Sequence, residues 1–309
     1  MDALPPWDGV TDFITALSDT IHVKGDQAQF RAYFRKWFVG IFPTLFEEQT
    51  VNHVILVLIG EQGLYKTTWF NRLLPPSLRR YFYTKTNSNR LIKDDQFTLT
   101  EFALVCFEEI DSMRPNELNQ LKAMVTTPFI NERPFYGRYK EHRPHIASFC
   151  GTGNNIQFLT DPTGNRRWLP FEIENIDNPF EYTFPYESVY AQAMSLWKSG
   201  FQYWFSQAEI QNLNIHNIHF EAPNLEEELI MTYYRKPFSD ERGVFVTTAR
   251  ILERINTCIR QPLIANKIGM VMKKLGFESV RYNSKRGYIV IELTGDDIQR
   301  SMKSAALGL

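Results

Sequence analysis

Apolar residues fall along this chain in two rhythms. Four short unbroken runs, Val54–Ile59, Phe102–Phe107, Ile146–Cys150 and Trp168–Ile173, have the length of strands buried on both faces. Between them lie stretches of helical character, Thr67–Leu74 and about 116–125, the first stopped by Pro75-Pro76. Strands alternating with helices predict a parallel sheet covered by helices. Ligands of such sheets sit beyond the carboxyl ends of the strands, and the polar motifs between the runs are expected there.

The flanks read differently. Residues 1–50 are mainly helical after a turn at Trp7-Asp8-Gly9-Val10. Phe30, Phe34, Trp37, Phe38 and Ile41 recur there at helical spacing. That stripe is read as an aromatic face packed on the next domain rather than a cofactor box. Phe184–Phe205 reads as one aromatic-rich helix containing Trp197, Tyr203 and Trp204. The acidic run Glu226-Glu227-Glu228, inside a segment Asn224–Tyr234, is read as a solvated helix start. Thr248–Ile259 and Ile264–Leu275 are two further helices, closed by Gly276-Phe277, and Val280–Leu293 is a hairpin turning at Asn283–Gly287. Helix, helix and hairpin predict a winged-helix-like module. The expected organisation is thus a helical segment (1–50), an α/β core (51–175), a helical linker or lid (176–240) and the winged module (241–309).

Composition narrows the function. The chain has 309 residues, 43% apolar and 22% charged, ordinary for a soluble globular protein. A net charge of -1 excludes a polycation. Residues 235–309 nevertheless hold 14 Lys/Arg against 7 Asp/Glu, a local excess that favours nucleic acid, the alternative being a basic face that is merely solvated. Cys106, Cys150 and Cys258 follow no ligand spacing, which fits a reducing cytoplasm and no disulfide framework. There is no signal pattern and no apolar run of membrane-spanning length, so a cytoplasmic protein with no membrane partner is expected.

The chemistry gathers at the strand ends. After Val54–Ile59 comes Gly60-Glu61-Gln62-Gly63-Leu64-Tyr65-Lys66-Thr67-Thr68. A phosphate-binding turn needs inward backbone N–H groups, a cation for the β- and γ-phosphates and a hydroxyl for Mg²⁺. Gly60, Gln62, Gly63, Tyr65 and Thr68 supply the path, Lys66 the cation and Thr67 the hydroxyl. Tyr65 occupies the position where such turns usually carry glycine. Phe102–Phe107 ends in Glu108-Glu109, the arrangement for a metal-side acid, Glu108, and a water-activating base, Glu109. Asp111 is read as a cap or turn residue. Asn154 follows the third strand and can bond a γ-phosphate or the attacking water. Arg166-Arg167 precede Trp168, and one of the two is a candidate to meet phosphoryl charge from a neighbouring subunit.

Two regions are candidates for nucleic acid. Residues 133–143 carry four basic residues against one acid with aromatics between them; Arg133, Tyr136, Arg138 and Lys140 are the candidates there. In the winged module they are Lys267, Lys273, Lys274, Lys285 and Arg286. The pairs His142/His145 and His216/His219 lack third and fourth ligands, so a metal centre is not expected there.

Together these residues resemble the virulence-associated E family of P-loop ATPases. The likeness runs from Trp7-Asp8-Gly9 to the strand after Trp168. It includes the turn, Glu108-Glu109, the Lys122 helix, Arg133-Pro134-Phe135-Tyr136-Gly137-Arg138 and Thr152-Gly153-Asn154. Its most specific part is Phe158-Leu159-Thr160-Asp161-Pro162-Thr163-Gly164-Asn165-Arg166-Arg167-Trp168. That family is similar to superfamily 3 helicases and the AAA+ group. The resemblance implies an AAA+-like core, ATP and Mg²⁺ as ligands, an Asn sensor at Asn154 and an arginine finger at Arg167 or Arg166. It also implies a channel hairpin near 136–140, a ring, expected as a hexamer, and single-stranded or forked DNA as partner. The family often carries a primase region upstream, for which this chain has no room, so a separate primase is expected. The expected function is an ATP-hydrolysing, DNA-dependent motor of phage or mobile-element replication. The alternative is a nucleotide-gated switch or loader with weak hydrolysis, acting through a partner protein.

Overall fold

The computed structural model describes residues 4–86, 93–133, 138–160, 165–222, 225–238, 240–257, 263 and 265–297. The chain divides into two compact units, joined after Ala222.

The first unit opens with α1 (Phe13–Ser18), β1 (Ile21–Val23), α2 (Gln27–Val39) and α3 (Ile41–Phe46). Asp26 starts α2 by accepting the N–H groups of Ala28 and Gln29 at 2.8 and 3.1 Å. Phe30, Phe34, Trp37 and Phe38 of α2 are almost wholly buried, each worth about 1.5–3 kcal/mol of burial. Their cluster includes Leu56, Leu58, Leu169 and Phe171 from the sheet, so the aromatic stripe is core. The Trp37 indole donates to the Phe149 carbonyl at 2.8 Å.

Next come β2 (Ile55–Ile59), α4 (Lys66–Arg72), β3 (Phe82–Lys85), α5 (Thr98–Glu101), β4 (Leu104–Phe107) and α6 (Pro115–Val125). A hairpin, β5 (Phe129–Glu132) with β6 (Glu141–Pro144), precedes β7 (Ser148–Gly153) and β8 (Trp168–Ile176). The sheet order is β1-β8-β2-β7-β4-β3, parallel except for the antiparallel edge strand β1. The two faces of β2 explain its unbroken apolar run. Leu56 and Leu58 face the α2 core, whereas Ile55, Val57 and Ile59 face a second cluster with α6 and Trp168.

The expected helix Phe184–Phe205 is shorter: α7 (Tyr186–Lys198) ends before Gly200, residues 199–206 are not helical, and a separate helix, α8 (Gln207–Asn217), follows beyond the expected range. Gly200, at φ 83°, ends the first in the left-handed conformation, and Ser206 with Glu209 forms a capping box for the second. Apolar periodicity ran through a break made by backbone chemistry.

The second unit holds α9 (Leu225–Tyr233), β9 (Tyr234–Arg235), β10 (Val244–Thr247), α10 (Thr248–Asn256), α11 (Ala265–Lys274), β11 (Ser279–Tyr282) and β12 (Lys285–Glu292). Strand β12 pairs antiparallel with β10, β11 and β9. Ile230, Ile251, Ile255, Ile268, Met272 and Val290 centre its core. The hairpin turns on Asn283-Ser284, both at positive φ, and is tighter than expected; Gly287 lies inside β12. A Cβ at Gly287 would stand 2.4 Å from the Val246 carbonyl oxygen, which is why glycine sits mid-strand.

Candidate functional site

The residues after β2, β4 and β7 meet at one end of the sheet. Gly60 leaves β2 with its N–H on the Gly153 carbonyl at 3.1 Å. A Cβ on Gly60 would lie 2.7 Å from Ile173 Cγ1, so the close approach of β8 requires glycine there. Gly63 adopts φ 93°. Tyr65 caps α4 in the left-handed region at φ 58°, a conformation that costs a non-glycine residue about 1–2 kcal/mol. Gln62 is exposed and Thr68 half-buried.

Lys66 folds back over the turn. Its Nζ donates to the carbonyls of Gly60 and Glu61 at 2.6 and 2.7 Å and to Asn154 Oδ1 at 3.3 Å. The lysine is buried, and burial lowers its pKa while the negative charge of Asp111 opposes that shift. One ammonium thus joins the turn to the end of β7.

Thr67 Oγ1 donates to Glu108 Oε1 at 2.9 Å. The turn after β2 and the acid after β4 therefore meet, as their strand-end positions predicted. Both donors are oxygens, and a hydroxyl beside a carboxylate fits a hard cation such as Mg²⁺, which binds proteins through one or two such groups and keeps the rest of its shell as water and phosphate. Glu109 is exposed at φ 52°, and its carboxylate makes no hydrogen bond among the described residues. Among those residues no group of three or more His, Cys, Asp or Glu could hold a metal by itself. His145 instead faces the Thr127 and Ala147 carbonyls, and His216 the Pro170 carbonyl.

Asp111 is more than a turn residue. Its Oδ2 accepts the N–H groups of Asn154 and Asn155 at 3.3 and 2.9 Å, bracing the segment that presents Asn154. Its Oδ1 is buried without a partner among the described residues. A Cβ on Gly153 would fall 2.8 Å from that atom, so Gly153 makes room for the brace.

The arginine pair departs from the expected placement. Ile55 pairs with Trp168 and Ile59 with Glu172, so Arg166 and Arg167 lie where β2 begins, at the amino end of the sheet. The five-residue strand separates them from the glycine turn by about 13 Å of rise. They line a cavity of about 300 Å³ with His53, Tyr203, Trp204 and Phe205. Neither has a carboxylate partner among the described residues. Burial, and then the neighbouring Arg166 charge, work against the Arg167 cation.

The basic candidates separate. Arg133, Arg138 and Lys140 are exposed near the tip of the β5–β6 hairpin, and Tyr136 lies outside the described residues, as do Asp161 to Gly164. Arg143 is compensated by Glu141 and Glu101. In the second unit, Lys267 pairs with Glu226 at 3.1 Å and Lys274 with Glu227 at 2.6 Å. The acidic run does open a helix, in the first turn of α9, but Glu226 and Glu227 are partners of α11 rather than solvated, and two of the three α11 lysines are not free cations. Lys273, Lys285 and Arg286 are exposed, Arg286 bonding Ser279 Oγ at 2.8 Å. No helix among the described residues is long and apolar enough to cross a membrane.

Residues 1–222 match the virulence-associated protein E-like domain. Among curated proteins none matches. Of the solved structures, the apo structure of the NrS-1 C-terminal region (305–718) is similar at 12% identity and a TM-score of 0.50. That likeness covers 94% of this chain and 78% of the other. Its A form is similar at 12% identity and a TM-score of 0.49, covering 94% and 77%. At such identity the first likeness speaks for the fold alone.

Proposed function

The chain belongs to the virulence-associated protein E-like family, and on that premise and the geometry at the sheet's carboxyl end we propose that it is a P-loop ATPase of the superfamily 3 and AAA+ kind, a DNA-dependent motor in phage or mobile-element replication. The observation that carries the reading is the convergence of three separate strand ends: Lys66 on the turn and Asn154, and Thr67 on Glu108.

In this reading Lys66 exchanges its carbonyl contacts for the β- and γ-phosphates of ATP. Thr67 and Glu108 hold Mg²⁺, which neutralises phosphate charge when bound. Glu109 accepts a proton from the attacking water, and Asn154 orients that water or the γ-phosphate. The arginines are at the far end of the sheet, so they act on the site of a neighbouring copy. Arg167 is the first candidate and Arg166 the second. That requirement supports a ring, expected as a hexamer. The β5–β6 hairpin and the winged-helix-like second unit supply the DNA contacts, with a separate primase as a further partner.

The test is ATP turnover with and without single-stranded DNA, run beside a mass measurement of the assembly. Turnover that rises with DNA in an oligomer is expected, and Lys66→Ala should abolish it. Wild-type turnover in that variant would overturn the assignment. A second reading, a nucleotide-gated loader with slow hydrolysis, is favoured by the Tyr65 side chain at the turn. Nucleotide binding without any DNA stimulation would select it.

A further inference from the structure

The aromatic residue that breaks the glycine pattern does not stand alone. Tyr65 meets Phe180 edge-on, ring centroids 6.2 Å apart and planes at 75°. The Arg72 guanidinium, from the last turn of α4, lies 4.6 Å from the centre of the same Phe180 ring. Phe180 is 67% exposed and Tyr65 42%, so neither ring is held there by core packing.

The segment carrying Phe180 is built firmly. Asn178 accepts the Phe180 N–H on its side chain at 3.0 Å, and its carbonyl accepts the N–H groups of Glu181 and Tyr182 at 3.0 and 3.1 Å. Arg72 donates to the Pro179 carbonyl. A large apolar ring is thus fixed in water, with a cation beside it, against the tyrosine that precedes the lysine of the turn.

We infer that Phe180, Tyr65 and Arg72 form a nucleobase subsite, in which the base of the nucleotide stacks on the open side of Phe180. The inference rests on the triphosphate reading of the turn. Stacking on an aromatic side chain is tolerant of base identity and is reinforced by a nearby guanidinium. The ligand class follows from continuity: a planar aromatic group must be attached to the phosphates that Lys66 holds. The same arrangement gives Tyr65 a task that glycine could not perform.

The test is calorimetry on the whole chain with Mg-ATP and with Mg-tripolyphosphate, which has the phosphates but no base. Wild type should bind ATP more tightly than tripolyphosphate. Phe180→Ala should weaken ATP about tenfold and leave tripolyphosphate within about twofold, and Phe180→Trp should restore ATP binding. Wild-type ATP affinity in Phe180→Ala overturns the subsite, as does an equal loss for both ligands. If wild type binds tripolyphosphate as well as ATP, the subsite fails and the phosphate turn stands. If wild type binds neither, the ATPase reading fails and the subsite with it.

Discussion

At the scale of single residues, the site is held by groups whose sequence neighbours say little about them. Asp111 is the clearest case. It stands 43 residues before Asn154, yet its carboxylate accepts the Asn154 N–H and that of Asn155 as well. Hydrogen bonds to a charged acceptor contribute about 1.5–3 kcal/mol, enough to fix a loop end. Asp111→Ala should therefore lower turnover at least tenfold while nucleotide affinity stays within about threefold, because Lys66 keeps its own turn. Stopped-flow separation of binding from hydrolysis checks this; a fall confined to affinity would assign Asp111 to the binding step instead. Lys66, Thr67, Glu108 and Asn154 were legible because each stands directly at a strand end, where the topology alone brings them together. Asp111 was not, since an acid shortly after a strand reads equally well as a cap. Tyr65 was legible as a departure from glycine, but its meeting with Phe180, 115 residues later in the chain, was not.

At the scale of elements, apolar rhythm served best where strands are buried on both faces and worst where polar backbone chemistry decides. β2, β4, β7 and β8 follow from their apolar runs, whereas the break between α7 and α8 is set by Gly200 and the Ser206 cap. The β11–β12 hairpin shows a similar limit. Its existence was legible, but the register that puts Arg281 opposite Arg286 was not. Like charges directly opposed across strands destabilise by a few tenths to about 1 kcal/mol, so the pair is a poor choice for stability alone. A polyanion crossing the hairpin would reverse that sign. Arg286→Thr should therefore leave the fold as stable or slightly more stable. It should also weaken single-stranded DNA binding, flattening the dependence of log affinity on log salt by about 0.7. Urea unfolding and a salt titration of binding read the two effects. Undiminished DNA affinity at low salt would remove the hairpin from the interface and leave β5–β6 and Lys273 of α11 as the remaining candidates.

At the scale of the whole first unit, the decisive fact is that its two charged features face away from each other. The register of β2 with β8 puts Lys66 beyond one end of the strand pair and Arg166-Arg167 before the other. No side-chain rearrangement spans that strand, since an arginine reaches only about 7 Å from its Cα. Arg167 is half-buried beside the cavity, its cation opposed by burial and by the neighbouring Arg166, and it has no carboxylate partner among the described residues, so an anion from outside would be met there. If that anion is the γ-phosphate of a neighbouring copy, two inactive variants should rescue each other. Lys66→Ala keeps the arginine and Arg167→Ala keeps the lysine, so a mixed ring contains interfaces with both. Random equal mixing gives about a quarter of the interfaces intact, and turnover should recover toward that fraction. An unmixed control of either variant should stay inactive. No recovery in a mixture shown by mass to be mixed would mean that Arg167 does not act across the interface, and the same exchange with Arg166→Ala then decides whether its neighbour does.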